Sequence, residues 1–301
     1  MAKAAGNPPL TLRERLEDAL IGGALGLLRL LPYRWRVPFA GWLVQSIAAP
    51  LIGMRKRVRA NLDLAMPELP EAEKTRLARQ VPDNLGRFMA EIFSPAEFTE
   101  ICRATPFEGP GLAAFEQARA RGQGVIAVSG HFANYDVFRV GMSLRGYSVG
   151  GLYRPMNNRA FHQRYLNAIE TLATPLYERS RRGMAQMVKH LRNGNVLAML
   201  TDQHMRKGEE LHFFGLPAYT AVSAAQLALK YDALLIPIYV IRQPDGLSFR
   251  VELEAPIPHS DEITMTQALN DSLEARVRTH MEQWLWTHRR WKKPPKGAGH
   301  A

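Results

Sequence analysis

Apolar and polar positions follow two different rules along this chain. Over residues 10–54 apolar residues run with few charges: 19–31 holds a single one, Arg29, and 37–54 is an uncharged run interrupted by Pro38 and Pro50. From residue 55 onward apolar positions recur at the helical spacing of three and four, or bunch into short runs bounded by turn residues, as buried strands do. A basic helix is predicted over 55–66, stopped before Pro67, and another over 70–93 that opens with the acids Glu71 and Glu73. After a turn at Glu108-Gly109-Pro110-Gly111, helix 112–121 closes at Gly122. Strands and helices then alternate. The pattern gives strand 125–128, helix 136–145, strand 148–153, helices 158–173 and 183–191, strand 196–200, helix 221–230 and strand 234–241. A hairpin turn at Asp245-Gly246 leads to strand 248–254, and a long helix is predicted over 266–286. Such alternation predicts an α/β fold, a mostly parallel sheet flanked by helices.

Charge changes the picture at the N-terminus. The chain of 301 residues carries a net +11, and residues 1–60 hold ten Lys or Arg against three acids, a net of +7. A basic segment favours an anionic surface. Long uncharged runs offer nothing to phosphates, which argues against nucleic acid. The first apolar run is too short to span a bilayer and the prolines interrupt the second. Residues 1–60 are therefore expected to be basic, apolar, membrane-associated helices, followed by an α/β domain over 61–293 and a disordered tail over 294–301. Cys102 is the only cysteine, so there is no intramolecular disulfide and no cysteine-cluster metal site.

Candidate chemistry gathers at strand ends. Strand 125–128 runs into Ser129-Gly130-His131, with a carboxylate, Asp136, five residues after the histidine. Inside one regular helix these two residues would lie on different faces. With His131 in the turn and Asp136 in the first helical turn, capped by Asn134 or Ser129, the carboxylate can reach an imidazole nitrogen and strengthen the other as a base. The competing reading is an ordinary buried histidine beside a helix-start aspartate. Two further strands deliver Arg154 and Asp202 to the same edge, where open α/β sheets bind their ligands.

The segment Gly130-His131-Phe132-Ala133-Asn134-Tyr135-Asp136 resembles the His-x4-Asp/Glu box of the glycerolipid and lysophospholipid acyltransferase superfamily. Tyr153-Arg154-Pro155-Met156-Asn157-Asn158, Leu200-Thr201-Asp202-Gln203 and Phe213-Phe214-Gly215-Leu216-Pro217-Ala218-Tyr219-Thr220 resemble the later blocks of the bacterial lipid A late acyltransferases. With 55–67 and 286–292, the resemblance covers roughly residues 15–292. It implies an α/β sheet with an N-terminal membrane-associated helix, at the cytoplasmic face of the inner membrane. It also implies transfer of a fatty acyl chain from acyl-carrier protein to a hydroxyl of a lipid A precursor, without metal, cofactor or covalent intermediate. Lipid A members usually carry Glu at the end of the box. Asp136 is one methylene shorter, which leaves open another lyso-lipid acceptor. A non-catalytic membrane adaptor is the rival from a different class.

On this reading His131 is the general base and Asp136 its orienting carboxylate. Arg154 is a candidate for oxyanion stabilisation or acceptor phosphate binding, or else caps its strand in a surface ion pair. Asp202 either organises Arg154, holds the acceptor or is structural, with Gln203 adding hydrogen bonds and Asn134 a further contact beside the base. Arg179, Arg181 and Arg182 form a basic loop for lipid phosphate or the acidic carrier protein, or a solvated charge run. Phe213 and Phe214 line an acyl channel or pack in the core.

Overall fold

The computed structural model describes residues 10–156 and 158–292; the tail expected at 294–301 lies outside them. Helix α1 (Leu12–Leu28) opens with a capping box in which Thr11 and Glu14 exchange hydrogen bonds, and none of its residues is buried. Helix α2 (Tyr33–Leu43) continues through a π-helical turn (Val44–Ala48) into the short α3 (Ala49–Leu51). Gly53, at φ 67°, then turns the chain into α4 (Met54–Ala65), with a bend of 85°. Among the described residues no single helix is long and apolar enough to cross a membrane, although this bent pair meets the length and composition. Helix α5 (Glu71–Ile92) packs across α2, and the crossing needs glycine: a Cβ at Gly86 would sit 2.5 Å from the Ala40 carbonyl oxygen.

After α6 (Pro95–Ala104) the α/β unit begins. Its elements are β1 (Phe107–Glu108), α7 (Leu112–Ala120), β2 (Val125–Ser129), α8 (Asp136–Leu144), β3 (Val149–Tyr153), α9 (Arg159–Leu172), β4 (Leu176–Glu178) and α10 (Arg181–Arg192). They continue with β5 (Val196–Leu200), β6 (Glu209–Phe213), β7 (Leu216–Thr220), α11 (Ser223–Tyr231), β8 (Leu234–Arg242), β9 (Phe249–Leu253) and α12 (Glu262–Thr279). Seven strands form one sheet in the order β1-β9-β8-β2-β5-β3-β4, parallel throughout except between β8 and β9, while β6 and β7 form a separate hairpin. The mostly parallel sheet with flanking helices is the expected one. Central strand β2 is buried at all five positions. That is why it reads as an unbroken apolar run: helices cover both faces, and each buried Val or Ile contributes roughly 1.5–3 kcal/mol.

One expectation is corrected. The helix predicted over 266–286 ends at Thr279; His280 leaves helical geometry (φ −141°) and a 3-10 turn (Met281–Gln283) follows. Trp284 and Trp286 are buried on either side of half-buried Leu285. Burial with period two suits an extended segment, and Trp284 pairs as a β-bridge with Phe132.

Candidate active site

The register of the central strands builds the site. Strand β5 lies beside β2 with Ser129 opposite Leu200, so two more residues on each strand bring His131 and Asp202 to the same level. His131 Nδ1 lies 2.7 Å from Asp202 Oδ1, and the His131 backbone N–H donates to Oδ2 at 2.8 Å. The indole Nε1 of Trp284 donates to the same Oδ2 at 2.8 Å. A Cβ at Gly130 would lie 3.0 Å from Asp202 Oδ2 and 2.9 Å from the Leu273 side chain, so the glycine permits this approach. Burial alone pushes the Asp202 carboxyl up. The neighbouring His131 imidazole and the hydrogen bonds from His131 and Trp284 outweigh it and hold the group down at about 2. An ionised carboxylate only accepts, so Nδ1 of His131 is the donor in this bond, and in the neutral imidazole the lone pair lies on Nε2. The imidazole is 22% exposed, Asp202 only 3%.

The structure does not bring Asp136 to His131. Asp136 heads α8, and its Oδ1 accepts from Arg139 Nε at 2.8 Å, one helical turn on, with both groups buried. Arg139 also donates to the Ile169 and Ala173 carbonyls at the end of α9. The carboxylate expected to orient the base instead ties α8 to α9, and Asp202 takes the orienting position. Arg154 is likewise not organised by Asp202, whose bonds go to His131 and Trp284; it is exposed at the end of β3.

Asn134 is fully buried, its Nδ2 donating to Glu91 Oε2 at 2.9 Å and its Oδ1 accepting from the Asp136 N–H at 3.2 Å. It fixes the loop rather than facing a ligand. Glu91 is held by two bonds from Arg242, which also donates to Asn84. Ala133 adopts φ 44°, in the left-handed region, with its N–H on the Gln283 carbonyl at 2.7 Å, and the Leu285 N–H donates to the His131 carbonyl at 3.0 Å. The C-terminal segment thus clamps the loop that presents His131. Sequence reasoning missed Trp284, Glu91 and Arg242. For Arg242 the signal available was a single charged residue closing the otherwise apolar run of β8; Glu91 is one of many charged residues in α5 and carried none.

Phe213 and Phe214 are buried in a cluster with Trp284, Trp286 and Trp291, beneath the β6–β7 hairpin. They face core rather than cavity. The apolar cavity beside His131 lies elsewhere. It holds about 250 Å³ and runs between α5, which supplies Leu85, Phe88 and Met89, and α9, which supplies Phe161 and Tyr165. The Tyr135 ring stands edge-on to His131 at 5.4 Å and also borders it.

The surface past the end of β3 is basic. Arg179 donates from its backbone to the Tyr153 carbonyl and reaches the Met205 sulfur at 3.4 Å, which places Arg154, Arg179, Arg206 and Lys207 near one another. Arg181 and Arg182 follow at the start of α10, both exposed. Gln203, exposed, places its amide Nε2 3.3 Å from His131 Nε2.

A histidine of fixed tautomer beside an apolar cavity suits proton abstraction from a hydroxyl next to a long apolar group. The sequence of this chain matches the family described as bacterial lipid A biosynthesis acyltransferase over residues 10–293. It is 26% identical over 286 residues to the lipid A biosynthesis lauroyltransferase of Escherichia coli, covering 85% of this chain and 90% of that one. It is 24% identical over 287 residues to the lipid A biosynthesis palmitoleoyltransferase of the same organism, covering 91% and 90%. It is also 24% identical over 245 residues to the phosphatidylinositol mannoside acyltransferase of Mycobacterium tuberculosis, covering 79% and 78%. The protein is an acyltransferase, and the chain belongs to the bacterial lipid A biosynthesis acyltransferase family.

Proposed function

We propose that this enzyme transfers a fatty acyl chain from an acyl-carrier-protein thioester to a hydroxyl of a lipid A precursor, with His131 as general base, at the cytoplasmic face of the inner membrane. The observation that carries the reading is the His131–Asp202 pair opening onto an apolar cavity in a member of this family. The acceptor hydroxyl donates to Nε2 of His131 and gives up its proton as its oxygen attacks the thioester carbonyl. Asp202 stabilises the imidazolium that forms. The carbon–sulfur bond then breaks, and the proton on Nε2 goes to the departing thiolate. The cavity between α5 and α9 takes the acyl chain, and the exposed basic residues past β3 take the acceptor phosphates or the acidic carrier protein.

Membrane docking is supported by the N-terminal surface. Every exposed large hydrophobic among the described residues except Ile263 falls within 10–64, including Leu12, Leu16, Leu20 and Leu27 of α1 with Trp35 and Trp42 of α2. An apolar face of this size beside exposed arginines fits the interface of an anionic bilayer.

The similarity to a phosphatidylinositol mannoside acyltransferase favours a second reading, with another anionic glycolipid as acceptor. Purified full-length enzyme given acyl-carrier thioester and each acceptor, read by lipid mass spectrometry, separates the two. Acylation of the lipid A precursor, together with lipid A lacking one secondary chain in a deletion strain, is the expected result. Unchanged lipid A in that strain overturns the first reading.

A further inference from the structure

We infer that Gln203 is a catalytic residue whose amide occupies the base's lone pair before substrate binds and then donates to the oxyanion of the tetrahedral intermediate. The inference rests on the reading of His131 as the base. It starts from an atom-level requirement. With Nδ1–H committed to Asp202 at 2.7 Å, Nε2 of His131 is an acceptor, and the group beside it at 3.3 Å is the amide nitrogen of Gln203, a donor. The amide thus stands where the hydroxyl of an acceptor must stand, since both present a hydrogen to the same lone pair.

Asp202 and Gln203 are consecutive residues past the end of β5 that meet the two nitrogens of one imidazole: Asp202, buried, at Nδ1 and Gln203, exposed, at Nε2. The only side-chain hydrogen bond of Gln203 among the described residues is the one to His131. Incoming hydroxyl therefore displaces a single weak bond, and the amide stays beside the imidazole that takes the proton.

The hydroxyl proton passes to Nε2, the oxygen lone pair forms the new carbon–oxygen bond, and the carbonyl π pair moves onto oxygen. The freed Gln203 N–H donates to that oxyanion. Collapse restores the carbonyl and breaks the carbon–sulfur bond, and the thiolate takes the proton from Nε2. Donors aimed at developing charge act chiefly on the chemical step.

The test uses full-length enzyme, acyl-carrier thioester and acceptor in mixed micelles, followed by thiol release, for wild type, Gln203→Ala, Gln203→Glu and His131→Ala. Gln203→Ala is expected to lower kcat on the order of 100-fold with KM for both substrates within about twofold. Gln203→Glu puts a carboxylate beside the imidazole, favours its charged form and moves the acidic limb of the kcat profile to higher pH. A kcat for Gln203→Ala within twofold of wild type, or a loss confined to KM, overturns the inference. Unimpaired transfer by His131→Ala overturns instead the reading of the base. The exposed side chain of Gln203 leaves its two variants folded, and Tm measured for all three separates lost transfer from lost fold.

Discussion

Trp284 donates its indole N–H to Asp202 Oδ2 at 2.8 Å, from a segment 82 residues further along the chain. This bond completes the set that keeps the buried carboxylate ionised, and it ties the C-terminal segment to the His131–Asp202 pair. Trp284→Phe keeps an aromatic ring but removes the indole's five-membered ring together with its donor, and leaves a gap in the buried cluster. Leaving a buried acceptor short of one partner costs about 1–3 kcal/mol, so Tm is expected to fall. With the carboxylate less well held, kcat is expected to drop by roughly tenfold. Wild-type kcat in a properly folded Trp284→Phe would show that the indole only packs.

Asp202→Asn keeps size and shape but loses the charge that fixes the imidazole tautomer. The expected loss in kcat is on the order of 10³–10⁴-fold. The same variant has a signature in stability. Because the carboxyl is depressed from 3.8 to about 2 on folding, its stabilising contribution is complete above about pH 4 and disappears as pH falls through about 2. Denaturant midpoints of Asp202→Asn should therefore vary less than wild type over that acidic window.

Asp136→Asn behaves differently if its carboxylate serves Arg139 rather than His131. Removing one member of a buried pair leaves Arg139 uncompensated, a loss of about 3–5 kcal/mol. The main expected effect is a lowered Tm with activity lost alongside the folded fraction, while the acidic limb of the pH profile of the remaining enzyme stays in place. A shifted limb at unchanged Tm would return Asp136 to the role that the His-x4-Asp spacing suggests.

Leu16→Asp and Leu20→Asp test the exposed face of α1, where both side chains are more than half exposed. Each leucine buried in a bilayer contributes about 1.5–3 kcal/mol, so cosedimentation with anionic phospholipid vesicles should weaken at least about tenfold per substitution, and Tm should hold. Binding equal to wild type would rule out this face as the lipid contact.

The local sequence determined the elements and their chemistry. Alternating apolar runs and helical periods, closed by Gly122, Gly146 and Gly194, place the strands that deliver His131, Arg154 and Asp202, because strand and helix periods and turn preferences act over a few residues. The short strand β4 and the β6–β7 hairpin escaped that reading, since runs of three to five residues with charged and proline positions carry little periodic signal. What only the tertiary structure decided is which carboxylate meets the histidine. Asp136 is near His131 in sequence, yet at the head of α8 it turns to Arg139; Asp202 is 71 residues away, yet it arrives because β5 pairs with β2. Strand neighbours are chosen by packing across the whole chain, so the partner of the base was never a local property.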